Sequence, residues 1–213
     1  MRKTKLEAEQ TREAILSAAE RVFYKQGVKG ASLEEVARLA GVTRGAVYWH
    51  FDNKLQIFLA IGERCILPHD EAIRQLEQCA DTDKLRALEQ HVVSTFTTFG
   101  ADEAARIRLT VTLLRCEYVG EMAPALRSHA ALIEKLTGQF TRFFRDNLVP
   151  EPHATDWQPE VVAKAFTSML HGTLMLWLRT PDQFRLDTVG VDNVRAFIRM
   201  MRARWWPHNS VLT

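Results

Sequence analysis

Apolar residues recur at helical spacing along almost the whole of this chain, and no alternating stretch of useful length interrupts them. That pattern points to one class, an all-α fold. Over residues 10–26, Ile15, Ala18, Ala19, Val22 and Phe23 share one face, and Gly27 stops the helix as a C-terminal cap does. Ser32-Leu33-Glu34-Glu35 reads as a capping box, with Ser32 as N-cap and Glu35 at the third helical position. Leu33, Val36, Ala37 and Ala40 form that helix's apolar face before Gly41 breaks it. Thr43 can cap a short third helix running to about His50. Asp52 can cap a fourth over 53–67, which Pro68 should end. Further helices are predicted over 84–99, 102–118, 122–148, 159–179 and 188–206, the fourth of these opening on Pro159.

The segment from Ser32 to His50 has the grammar of a helix-turn-helix: two short helices joined by a Gly-containing turn. Its second helix opens Thr43-Arg44-Gly45-Ala46. Small residues at Gly45 and Ala46 let a helix approach a groove closely. Arg44 stands where a recognition helix points its first long side chain into the major groove, and an arginine there can bond two acceptors of a guanine edge. Thr43, Tyr48, His50 and Lys54 supply donors for phosphates, and Lys54 lies in the first turn of the next helix, where backbone N–H groups also favour an anion. Ser32 is counted with these DNA contacts. Trp49 has two readings: against the DNA backbone, or packed on the first helix. Phe51 reads as core. The basic arm Arg2, Lys3 and Lys5 reads as a non-specific phosphate contact.

Charge makes sense only once it is divided. The 213 residues carry a formal net charge of +2 at pH 7 with histidine neutral, which rules out a simple polycation. Residues 1–60, however, hold 10 Lys and Arg against 7 Asp and Glu, and the positive excess lies there. All 7 prolines lie at position 68 or beyond. Cys65, Cys79 and Cys116 are an odd number without close pairing, so no disulfide framework is expected and a reducing compartment is the default. Leu6-Glu7-Ala8-Glu9-Gln10 follows the basic start where a signal peptide would be apolar. No run of 18 apolar residues exists, so no membrane span is expected. No nucleophile elbow, glycine-rich phosphate loop or zinc-protease motif is present.

The segment Gly41-Val42-Thr43-Arg44-Gly45-Ala46-Val47-Tyr48-Trp49-His50-Phe51-Asp52-Asn53-Lys54 closely resembles the DNA-binding signature of the TetR family of bacterial transcriptional repressors. The start, with Glu9-Gln10-Thr11-Arg12 and Ile15-Leu16, is similar to the subgroup that represses multidrug efflux pumps. The likeness is dense over residues 1–65 and thin beyond. It implies a homodimer that binds double-stranded operator DNA and is released by a small apolar or aromatic inducer. It also implies a cytoplasmic, nucleoid-associated protein without a cofactor. The expected division is a three-helix DNA-binding domain over residues 1–53 and a ligand-binding and dimerisation domain over 54–213.

In the resembled subgroup the ligand lies among the helices of the second domain. Read from helix faces, the candidate contacts are Cys65, Ile66, His69 and Arg74; Ser94 and Phe96; Leu109, Leu113, Cys116 and Glu117; and Phe140, Thr167, Leu170, His171 and Met175. Glu117 and His171 stand out, because an ionisable group in an apolar stretch needs a partner when buried. Cys65 and His69 have a spacing that permits metal ligation, but two ligands do not make a site, and no metal is expected. Residues 161–178 are apolar nearly all round, so one face can serve the subunit core and the other a partner across a two-fold axis. Helix four is the natural lever, with Lys54 at the DNA end and Cys65 to His69 at the pocket end. Two alternatives remain: a regulator of the same family that serves a metabolic or signalling operon, and a helical enzyme or ligand-binding protein that borrows the motif.

Overall fold

The computed structural model describes residues 5–65, 83–147 and 158–205, and among them nine α-helices and no strand. These are α1 (Lys5–Gly30), α2 (Leu33–Ala40), α3 (Arg44–His50), α4 (54–65 as described), α5 (Lys84–Ala101), α6 (Glu103–Leu114), α7 (Ala123–Asn147), α8 (Pro159–Arg179) and α9 (Val191–Trp205). A 3-10 turn, Gly120–Met122, leads into α7, and a π turn, Leu186–Gly190, leads into α9.

Two compact units emerge. The first comprises Met1–Pro68 with Glu103–His129, and the second His69–Asp102 with Ala130–Thr213. The core of the first gathers Ile15, Leu16, Val22 and Phe23 of α1, Val36 of α2, Val47 of α3, Phe51, and Ile57 and Ile61 of α4, with Val111 of α6 closing it. The core of the second gathers Leu85, Leu88 and Phe96 of α5, Phe140 and Phe144 of α7, Val162 and Phe166 of α8, and Val194 and Ile198 of α9. Its centre is aromatic: Phe166 meets Phe140 edge-on at 4.9 Å and Phe144 at 5.8 Å.

Local chemistry sets most boundaries in the first unit. Ser32 Oγ accepts the Glu35 N–H at 3.2 Å and Thr43 Oγ1 accepts the Ala46 N–H at 3.1 Å, so both predicted caps are in place. The other half of the expected box differs, since the Glu35 carboxylate accepts from the Gln26 amide instead. Gly41, at φ 68° and ψ 28°, takes the left-handed conformation that lets its N–H turn back to the end of α2. Asn53, not Asp52, caps α4: its Oδ1 accepts the Gln56 N–H at 3.0 Å, while the Gln56 side chain returns to the Asp52 N–H.

Two expected boundaries need correction. Helix α1 starts at Lys5 rather than near residue 10, while its regular path stops at Gly27 as expected, where φ 75° and ψ 160° leave the helical region and a kinked last turn runs on to Gly30. Helix α6 ends at Leu114, not 118. Nothing local stops it; the Arg115 carbonyl accepts the Val28 N–H at 3.0 Å and the Tyr118 hydroxyl donates to the Thr112 carbonyl at 3.0 Å, which draws the chain out of the helix. Among the described residues α8 is long and apolar enough to cross a membrane, which counting apolar runs did not anticipate. Val162, Ala163, Phe166, Thr167, Thr173 and Trp177 are buried in the second unit, the pattern of a core helix. The predicted end of helix four at Pro68 lies outside the described residues.

Candidate nucleic-acid interface

Helix α3 is pinned from below and open above. Val47 is fully buried and Phe51 nearly so, and these two fasten the helix to α1 and α2. Thr43, Arg44, Gly45, Tyr48 and Trp49 are exposed, and Ala46 and His50 are partly exposed. Trp49 is 73% exposed, so of its two readings packing on α1 is excluded; its ring meets His50 edge-on at 4.5 Å. The Thr43 oxygen caps the helix, which leaves its O–H to donate outward. Ser32 stands in the same way at the start of α2, exposed and with its oxygen engaged. Lys5 is exposed, while Lys3 lies outside the described residues.

Arg44 is already engaged. Its Nη1 lies 2.6 Å from Glu34 Oε1, and its Nη2 donates to the Tyr48 hydroxyl at 3.2 Å. The Tyr48 hydroxyl first, and the Glu34 carboxylate second, hold the guanidinium more firmly in its charged form. Both partners of the ion pair are more than half exposed, so it is a weak contact that another acceptor can replace.

Lys54 does not stand as expected. Its Nζ donates to the carbonyls of Val28 and Lys29 at 3.2 Å and of Ala31 at 3.3 Å, and lies 3.0 Å from Glu121 Oε1. The ammonium therefore caps the end of α1 and ties it to the turn before α7, and it is not poised for a phosphate. The far end of α4 is bound to α1 as well. Arg64 bridges Glu13 and the buried Glu20, and Arg108 of α6 lies 3.7 Å from Glu20. The sequence reading missed this network; the signal for it is an acid, Glu20, on the apolar face of α1. A cleft of about 830 Å³ opens beside it, lined by Glu20, Arg21, Arg64, Glu103, Ile107 and Arg108 among others. Among the described residues, no candidate ligand contact lines that cleft.

Those candidates fall in both units. Cys65, Leu109, Leu113, Cys116 and Glu117 belong to the first; Ser94, Phe96, Phe140, Thr167, Leu170, His171 and Met175 belong to the second. Ile66, His69 and Arg74 lie outside the described residues. Because α6 ends early, Cys116 and Glu117 sit on a connecting segment, where the exposed Glu117 pairs with Lys29 at 3.2 Å. Ser94 is exposed. Phe96 fills the space that Gly190 leaves open, and Phe140 packs on Phe166, so both serve the core of the second unit. Thr167 bonds Thr137 at 3.4 Å, and Leu170, His171 and Met175 are partly exposed along α8. Burial pushes the thiols of Cys65 and Cys116 up to about 11, which keeps both protonated and unreactive at neutral pH.

Comparison with known proteins agrees with this geometry. Residues 15–61 match the family model for bacterial regulatory proteins of the tetR family. Residues 83–203 match the model for the C-terminal region of MAATS-type transcriptional repressors. The transcriptional repressor BepR of Brucella suis is 37% identical over 95% of this chain and 97% of its own. The crystal structure of NalD, the secondary repressor of the MexAB-OprM multidrug efflux pump of Pseudomonas aeruginosa, superposes with a TM-score of 0.78 at 31% identity, covering 96% of this chain and all of that one. A complex of SmeT with triclosan superposes with a TM-score of 0.74 at 26% identity over 93% of each chain; SmeT represses a multidrug efflux pump of Stenotrophomonas maltophilia.

Proposed function

Since the chain belongs to the TetR family of transcriptional repressors, we propose that it binds a near-palindromic operator as a homodimer, lets go when a small apolar or aromatic molecule binds, and controls a multidrug efflux operon. It is a repressor and not an enzyme, which sets aside the alternative of a borrowed motif. The observation that carries the DNA reading is α3 itself: Val47 buried beneath, with Thr43, Arg44, Tyr48 and Trp49 exposed on the opposite side. Arg44 reads a base, Thr43, Tyr48 and Trp49 position the helix on phosphates, and Lys5 adds a non-specific contact. Residues 1–53 read DNA, and residues 54–213 sense the ligand and dimerise. The exposed apolar residues Val161 and Leu176 of α8 and Met200 of α9 support a partner face on the last two helices. As a DNA-binding repressor, the chain acts in the cytoplasm.

Release requires a ligand that binds two conformers with different affinity. Helix α4 suits the lever role because both ends of its described length are tied to α1, by Lys54 at one end and Arg64 at the other. Turning α4 then carries the reading helix with it. NalD and SmeT, both repressors of multidrug efflux pumps, support efflux as the regulated process, and triclosan, an apolar aromatic molecule, supports the inducer class. The test is a gel shift on the DNA upstream of the chain's own gene. Arg44→Ala should weaken operator binding about tenfold to a hundredfold and relax preference at one base pair of each half-site. Equal affinity of wild type and variant would remove α3 from the reading role.

A further inference from the structure

One acid stands where a DNA-binding surface gains least from it. Glu34 belongs to the first turn of α2, whose positive end favours a carboxylate, yet it reaches Arg44 of α3 at 2.6 Å. Tyr48 holds the same guanidinium from the other side, with its hydroxyl 3.2 Å from Nη2 and its ring 5.3 Å from the guanidinium carbon. A carboxylate here repels the phosphate backbone and cancels a charge that would otherwise release counterions. Its presence is a cost to affinity for DNA in general.

We infer that Glu34 is a specificity-determining positioning residue: it holds Arg44 in place along α3 and withholds that charge from phosphates until a guanine edge replaces it. The inference rests on the reading of α3 as the recognition helix. On non-operator DNA, Arg44 keeps its carboxylate partner and the complex makes one phosphate contact fewer. On the operator, guanine offers two acceptors to the guanidinium and draws it away from the single Glu34 oxygen. An exposed pair is weak enough for this exchange. Tyr48 keeps the arginine side chain extended during it, through the ring contact.

The test compares the full-length wild type with Glu34→Gln, Arg44→Ala and the double variant. Each is titrated by fluorescence anisotropy, across a salt series, against a duplex the wild type selects from a random pool and against its scrambled version. Glu34→Gln should bind the scrambled duplex more tightly, with a salt slope steeper by about one. Its selected-to-scrambled affinity ratio should fall about fivefold to tenfold. In the Arg44→Ala background, Glu34→Gln should leave the ratio unchanged. If Arg44→Ala lowers the ratio but Glu34→Gln leaves ratio and slope at wild-type values, the inference is overturned and the reading of α3 stands. It is equally overturned if Glu34→Gln lowers the ratio by the same factor without Arg44, since the effect is then general charge. If Arg44→Ala leaves the ratio unchanged, the reading of α3 has failed and the inference with it.

Discussion

Lys54 shows how one side chain changes role once its surroundings are known. On sequence it is a cation at a helix start beside a DNA-reading motif, a position that suits a phosphate contact. In the fold its ammonium is spent on three carbonyls at the end of α1 and on Glu121. Nothing near Lys54 in sequence announces Glu121, because the partner comes from a distant turn. Lys54→Met should therefore lower stability by about 1–2 kcal/mol in urea titration, from the lost helix cap and ion pair. It should leave the salt slope of operator binding unchanged, whereas a slope reduced by about one would put the ammonium on a phosphate after all. The thiol of Cys65 makes stability depend on pH. It is pushed from its ordinary 9.0 up to about 11 in the fold, first through burial. Between those values the unfolded chain has lost the proton and the folded chain keeps it. Stability from this group is thus complete below pH 9 and is lost as pH rises towards 11. Cys65→Ala should flatten the alkaline fall in chemical-denaturation stability over that window; an unchanged fall would mean the thiol is not buried.

Elements were legible where their ends are written locally. Ser32, Gly41 and Thr43 bound α2 and α3 by side-chain and left-handed caps, and the sequence places all three at the observed positions. The end of α6 was not legible, because Leu114 and Arg115 contain no breaker and the helix stops where the Val28 N–H claims the Arg115 carbonyl. That bond in turn depends on Gly27, whose φ of 75° and ψ of 160° turn the Val28 N–H out of α1. The glycine that stops the regular helix, as its sequence position suggests, is therefore also a joint between α1 and the end of α6. Gly27→Ala meets no serious obstacle in space, its nearest neighbour being the Arg115 carbonyl oxygen at 3.6 Å, so its cost is backbone strain. It should destabilise the protein by about 1–3 kcal/mol in thermal melts. A variant as stable as wild type would show that α1 can continue through residue 27. The candidate reading surface was legible for the same reason as its helices, since Val47 and Phe51 lock one side of α3 inward. The pocket was not: Phe96 and Phe140 have the spacing of a lining and the burial of a core, and no local pattern separates the two.

At the scale of the molecule, the near-neutral total charge conceals a basic first quarter and an apolar-cored remainder. Helix α8 is the element proposed to link that remainder to assembly. Six of its residues are buried, while Leu176 is 60% and Val161 47% exposed, so the helix has a second apolar face to cover. Leu176→Arg should convert the proposed dimer to monomer in sedimentation velocity and abolish operator binding, because one reading helix alone makes too few contacts. A dimer that persists would move the interface elsewhere. DNA binding and ligand binding are proposed to compete through one chain, and a single anisotropy titration tests this. The full-length protein is titrated onto DNA from upstream of its own gene, with a scrambled duplex as control and with or without triclosan. Binding should be at least about a thousandfold tighter than to the scrambled duplex and weakened about tenfold or more by saturating triclosan. Equal affinity for both duplexes would remove sequence-specific DNA binding, and tight operator binding that persists with triclosan bound would remove the coupling between the two sites.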